Sequence, residues 1–305
     1  MVTANSPGRS STDSLQSSIY ESVVENGRTY HRYKHGKYPL PNDEVHLQHT
    51  LFKLTLGGKL YLAPINANSH NVLDFATGTG IWAIEFARDH PSARVVGTDL
   101  SAIQPLYVPP NCRFEIDDAE DEWVFSERFD YIHGRALLTC FQDPSLVINE
   151  AFKSLAPGGY LEMQDVCLPC EYIGPPPKES ALYKWNELVI TGAAKLGRPW
   201  TNVQHYKRWM EETGFDDVIE ELFYWPTSAW AKGNYFKDIA MYFQEDMLKG
   251  LEGLSLKAMR ALEWSVEDIQ VLLADVRSDV YNTSIHAFLP IKVVYGRKPG
   301  GPAMS

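Results

Sequence analysis

A chain of 305 residues, 44% hydrophobic and 22% charged, has the size and make-up of one large α/β domain with additions, or of two modest domains. No apolar run reaches the roughly 18–20 residues of a bilayer span, and residues 1–18 offer no apolar stretch for a secretory signal. A net charge of −11 repels phosphate, which argues against direct nucleic-acid contact or an anionic membrane surface.

Residues 1–18, rich in Ser, Thr, Asn and Pro, are expected to form a disordered tail. Residues 19–64 form a separate N-terminal segment. Within it, Arg28 to Lys37 is basic and aromatic, and Tyr38-Pro39-Leu40-Pro41 forces extended chain. Asn42 then offers an N-cap, and the apolar run from Val45 to Leu62 fits an apolar-faced helix. After Pro64 strands alternate with helices. Strands are expected over 71–75, 94–98, 112–116, 129–133 and 160–164, with helices over 81–87 and 145–155. Such alternation implies a mostly parallel sheet with helices on both faces.

Beyond that point the alternation loosens. Helices are expected over 179–195 and 202–213, a strand over 218–225, an all-helical stretch over 234–280 and a last strand over 287–295. Ser265 with Asp268 is a capping start for the final helix. Residues 299–305 are expected to be a flexible C-terminus. Cys112, Cys140, Cys167 and Cys170 make no disulfide framework and point to a reducing compartment, in the cytoplasm or the nucleus. Cys167-Leu168-Pro169-Cys170 has redox spacing, but loop rather than helix follows it, so it reads as two semi-buried thiols. No ligand set for a metal is present.

Four features recur in the order that a nucleoside-binding doubly wound domain needs. The first is Asp74-x-Ala76-Thr77-Gly78-x-Gly80, directly after a strand and opening a helix. Its glycines let the backbone turn tightly and approach a ligand, and the helix N-terminus supplies unpaired N–H donors. Alone, this loop suits a nicotinamide enzyme or a plain turn equally well. The second feature is Asp99 with Leu100 at the end of the second strand, where a carboxylate can accept from both ribose hydroxyls. The third is Asp117-Asp118-Ala119 after the third strand, placed to take an adenine amino group. The following Glu120, Asp121 and Glu122 read as a solvated acidic loop. The fourth is His133-Gly134-Arg135-Ala136 after the fourth strand, where such folds open onto the ligand crevice.

Asp74, four residues before Gly78, resembles the acid that begins the glycine motif of class I methyltransferases and supports the methionine end of their cofactor. Over residues 20–298 the chain resembles the LaeA-like fungal methyltransferases, the group of the secondary-metabolism regulator. The resemblance is carried by Asn26-Gly27-Arg28-Thr29-Tyr30-His31, Asp74 to Trp82, Gly97-Thr98-Asp99-Leu100-Ser101, Phe114 to Asp121, Tyr131-Ile132-His133-Gly134-Arg135 and Ser284-Ile285-His286-Ala287. Phe75-Ala76 departs from the family's usual small or aliphatic residues without blocking the loop, because Phe75 belongs to the strand.

The resemblance implies a Rossmann-like class I domain over 65–298 with seven strands in the order 3-2-1-4-5-7-6. It also implies a helical insertion over 234–280 that roofs the acceptor pocket, and S-adenosylmethionine as cofactor. Segment 20–41 would fold over that cofactor, bringing Tyr30, Tyr33 and Tyr38 toward the sulfonium or the acceptor, where aromatic faces stabilise a cation. His133 is the first candidate general base, against the alternative that its backbone rather than its imidazole meets the cofactor. Tyr38, His31 and His35 are further candidates, and Gln164, Asp165 and Trp185 are candidates for the acceptor side. Two functions stay open: methylation of a small natural product at O, N, S or C, and a LaeA-type regulator acting with velvet-domain partners on a protein or on no essential external acceptor. A deep apolar pocket would favour the first.

Overall fold

The structure, a computed structural model, describes residues 22–25, 28–31, 45–66 and 69–300. The tail over 1–18, Tyr33, His35, Tyr38, Asn42 and residues 301–305 therefore lie outside the described residues. Strands β1 (Ser22–Glu25) and β2 (Arg28–His31) form an antiparallel hairpin, with Ser22 opposite His31. Helix α1 follows (Val45–Thr55). It stops before Gly57 and Gly58, whose φ values of 63° and 88° no helix accommodates. Leu60 and Leu62, expected on the same helix, lie beyond it in a bend and irregular chain.

The main sheet contains β3 (Asn71–Phe75), β4 (Arg94–Asp99), β5 (Cys112–Ile116), β6 (Phe129–Arg135), β7 (Leu155–Val166), β8 (Glu171–Tyr172), β9 (Asp216–Pro226) and β10 (Ala287–Arg297). Its spatial order is β5-β4-β3-β6-β7-β10-β9. The strands from β5 to β7 are parallel, and β10 runs antiparallel to both β7 and β9. This is the expected strand order with one correction: there are eight strands. The two-residue β8 pairs with Ala287 and Phe288 of β10, beyond the point where β7 leaves it.

Period-2 alternation divides the side chains of this sheet between two faces. Val72, Val95 and Tyr131 pack with Trp82, Phe86 and Leu60 beneath helix α2 (Ile81–Asp89). Leu73, Val96, Ile132 and Met163 pack on the opposite face with α3 (Pro144–Ser154) and α5 (Tyr206–Thr213). Parallel strands covered on both faces are why these segments are almost continuously apolar. A third core joins α1 to α4 (Ala181–Lys195), α6 (Asn234–Ala261) and α7 (Val266–Tyr281) over the start of β10. Helices α4 and α6 touch at Gly192, where an added Cβ would come within 2.0 Å of the Ala258 carbonyl oxygen. The caps fall as the sequence implies: Ser265 accepts from the Asp268 N–H, and Ser180 from that of Tyr183. Among the described residues no helix is long and apolar enough to cross a membrane.

Candidate active site

The glycine loop leaves β3 through Ala76, Gly78 and Gly80, at φ values of 49°, 59° and 76°. Left-handed backbone is free to glycine but strained for alanine, so the surroundings must hold Ala76. They do so through the next residue: the Thr77 N–H donates to the Thr98 carbonyl at 2.9 Å, and the Thr77 hydroxyl to Asp74 Oδ2. Gly80 is then the N-cap of α2, with no side chain capping the helix start. Phe114 sets the need for glycine here. A Cβ on Gly80 would sit 2.2 Å from its ring, and one on Gly97 2.5 Å. In the same way the Phe75 ring requires Gly134, where a Cβ would lie 2.3 Å away.

Asp99 ends β4 beside this loop. Its Oδ2 accepts from the Gly78 N–H at 2.8 Å and its Oδ1 from the Ser101 N–H at 2.9 Å. These N–H groups, with a further hydrogen bond from the Ser101 side chain, leave at least one of the carboxylate's four lone-pair sites to accept from a ribose hydroxyl. Burial raises its pKa to about 6, against the opposing pull of those hydrogen bonds. The Asp117 N–H donates to the Asp99 carbonyl at 3.0 Å, which brings the end of β5 alongside. Asp118 is buried, and Asp117 is half-exposed with its pKa raised by burial. The Ala119 carbonyl accepts from Trp123 Nε1. Glu120 corrects the reading of a solvated loop: its Oε1 accepts from the Gln142 N–H at 2.6 Å, and Arg198 approaches it to 3.8 Å. Asp121 and Glu122 are exposed.

His133 is sealed within the sheet. Register sets Asp74 opposite His133 and His133 opposite Glu162, so three ionisable side chains form one row on the α2 face of β3, β6 and β7. The imidazole is fully buried. Its Nδ1–H donates to Asp74 Oδ1 at 2.7 Å, and its ring stacks on Trp82 with centroids 3.7 Å apart at 6°. It orients Asp74 and does not open onto the crevice as a base would.

Glu162, which sequence reasoning did not single out, accepts from the N–H groups of Leu62 and Ala63 at 3.0 and 2.6 Å, and from Gln164 Nε2 at 2.8 Å. Gln164 Nε2 and Trp82 Nε1 both donate to the Leu60 carbonyl. This row thus straps the chain after α1 onto the sheet and sets the helix beside the crevice. The signal was present in the strand Tyr160-Leu161-Glu162-Met163-Gln164: polar residues at every second position of a strand covered on both faces must be bonded inside.

The acceptor-side candidates separate. Gln164 belongs to the strap. Asp165 points to the opposite face, accepting from the N–H groups of Leu137, Leu138 and Val166 and from the Tyr206 hydroxyl, with burial raising its pKa to about 7. Trp185 does line a cavity, of about 90 Å³, enclosed between the chain following β6 and β7 and helices α4 and α6. Trp200, Trp225, Phe243 and Met247 share its wall. Thr139 also lines it, and the buried Thr139 Oγ1 has no hydrogen-bond partner among the described residues. Cys167 and Cys170 are free, buried thiols whose pKa values burial raises to about 11 and 12, which suits inert core residues.

A glycine loop at a helix N-terminus, acids closing three neighbouring strands and this strand order are together the frame of a nucleoside-cofactor transferase. A family model described as a methyltransferase domain matches residues 47–220. Methyltransferase pytC of Aspergillus terreus is 34% identical over 298 residues, spanning 95% of this chain and 92% of that protein. The chain belongs to the LaeA-like methyltransferase family. The secondary metabolism regulator laeA of Aspergillus niger is 31% identical over 92% of this chain and 77% of its own length. A protein of Emericella nidulans named protein-methionine methyltransferase laeA is 31% identical over 96% of this chain and 81% of its own.

The methyl donor of this methyltransferase is S-adenosylmethionine, and the residues present fit it. Asp99 has a lone pair left for a ribose hydroxyl, and close packing against Phe114 and Phe75 keeps side chains off Gly80 in the loop and off Gly97 and Gly134 in the neighbouring strands β4 and β6.

Proposed function

We propose that this methyltransferase passes a methyl group from S-adenosylmethionine to a small, largely apolar acceptor, in the making or the control of fungal secondary metabolites. The observation that carries this reading is the tryptophan-walled cavity behind the ends of β6 and β7. Apolar walls with a few placed polar groups are the usual lining of a small-molecule site, and since such sites hold roughly 300–1,000 Å³, this cavity of about 90 Å³ must widen to admit an acceptor. The cofactor supplies an already activated methyl group, so the protein's task is to position the nucleophile against it and to exclude water.

In this reading Asp99 holds the ribose, and the segment Asp117-Asp118-Ala119 holds the adenine. Asp74, braced by His133 and Thr77, together with Gly78, Gly80 and Gly134, supports the methionine end. Leu100 packs beside the nucleoside. Tyr30, whose side chain is not described, and Tyr38 would close over the sulfonium as part of a covering segment formed by residues 19–64. Tyr38 is the candidate that meets the acceptor.

A second reading, methylation of a protein in concert with velvet-domain partners, draws on the name of the Emericella nidulans relative. Calorimetric titration with S-adenosylmethionine and S-adenosylhomocysteine, on the wild type and Asp99→Ala, tests the cofactor assignment. Removing an ionised acceptor should weaken binding by about 10–100-fold. No binding by the wild type, or undiminished binding by Asp99→Ala, overturns it. Mass spectrometry of small-molecule extracts and of proteins incubated with enzyme and labelled cofactor then separates the two acceptor classes.

A further inference from the structure

Arg135 closes β6, one residue beyond Gly134. Burial of its guanidinium lowers its pKa to about 10, yet the residue keeps partial exposure, unlike the sealed His133. Among the described residues its one hydrogen-bond partner is His49 of α1: Nη2 donates to His49 Nδ1 at 2.9 Å. His49 is therefore neutral and passes its Nε2–H to Glu85 of α2 at 2.6 Å. Burial first, and then Arg135, lower the His49 pKa to about 4, which agrees with that tautomer. The guanidinium also lies 5.2 Å from the centre of the Phe52 ring.

Among the described residues no carboxylate pairs with it. Asp74 is engaged by His133 and Thr77, and Glu85 by His49 and Lys53. This largely buried guanidinium has Asp74 and Glu85 near enough to act on its charge, but its direct contacts among the described residues are one neutral nitrogen and an aromatic face, so no carboxylate is bonded to it. Its planar fork of five donors is shaped for a carboxylate, and it stands beside the glycine loop that receives the amino-acid end of the cofactor.

We propose that Arg135 anchors the methionine carboxylate of S-adenosylmethionine, with the His49–Glu85 pair holding the guanidinium in place. This rests on the cofactor reading above. It also gives α1 a part in binding, because His49 and Phe52 of that helix both meet Arg135.

Calorimetry with two ligands tests it: S-adenosylhomocysteine, and its decarboxylated analogue, which keeps the amine and lacks only the carboxylate. The wild type should bind the analogue about 10–100-fold more weakly. Arg135→Gln should weaken S-adenosylhomocysteine by a similar factor and leave the analogue unchanged, and Arg135→Lys should fall between. Equal wild-type affinity for the two ligands overturns the proposal without any variant. So does a loss in Arg135→Gln that is the same for both ligands, since that marks a general packing role. A wild type that binds neither ligand overturns the cofactor reading itself, and this proposal with it.

Discussion

Replacing Glu162 by alanine should loosen the strap between α1 and the sheet. The carboxylate accepts from the Leu62 and Ala63 N–H groups, some 100 residues away in sequence, and from Gln164 Nε2. Gln164 Nε2 has a second acceptor in the Leu60 carbonyl, so truncation strands the two backbone donors. Each unsatisfied buried donor costs about 1–3 kcal/mol. Against this, burial raises the Glu162 pKa, so the variant also loses an unfavourably buried charge and recovers part of the cost. A net loss of about 2–4 kcal/mol is expected for Glu162→Ala. Glu162→Gln, which keeps one acceptor oxygen, should lose roughly half of that. Urea denaturation followed by tryptophan fluorescence reads both values, and titration with S-adenosylhomocysteine should show weakened binding as α1 drifts from the crevice. A Glu162→Ala protein within about 0.5 kcal/mol of the wild type, the range of an ordinary surface change, would refute the strap.

Gly97→Ala places a Cβ 2.5 Å from the Phe114 ring; overpacking of this kind costs about 1–3 kcal/mol, and calorimetry should show a lower Tm that Phe114→Leu partly restores. Asp165 carries a folded pKa of about 7 against about 3.9 unfolded, so its favourable contribution is complete below the unfolded value and lost as pH rises through about 7. Wild type should therefore gain on the order of 2 kcal/mol over Asp165→Asn between pH 8 and pH 5, and parallel pH profiles of the two unfolding curves would contradict this. Thr139→Val removes a buried hydroxyl that has no partner among the described residues, so stability should hold or rise by up to about 1 kcal/mol; methyl transfer should slow if that hydroxyl meets the acceptor, and unchanged turnover would detach it from the site.

The strands themselves, the glycine loop and the acids closing β3, β4 and β5 were legible because each is a local signal, whereas the strand order was implied by the family resemblance. A turn that needs left-handed backbone asks for glycine within a few residues, and parallel strands buried on both faces read as short apolar runs. The end of α1 was equally local, since Gly57 and Gly58 stand within the run that suggested a longer helix. The two-residue β8 was not legible. It exists because β10 outruns β7, a fact about pairing between segments more than a hundred residues apart.

His133 illustrates what local reading does not reach. Its position at the end of β6 suggested a base facing the crevice, but the pleat turns its ring toward α2, and register places Asp74 on one side and Glu162 on the other. Asp165 was expected beside the acceptor, and one residue's shift in the same alternation buries it against Tyr206. By itself the sequence determined the alternation of strands and helices and the glycine loop, which rest on residue types at short spacings, while the strand order and the methyl donor came from its resemblance to a family over nearly the whole chain. Tertiary structure alone decided which of those polar side chains face the crevice and which are sealed into the sheet. Burial and partnership depend on strand register and helix packing, which join residues that no local pattern connects.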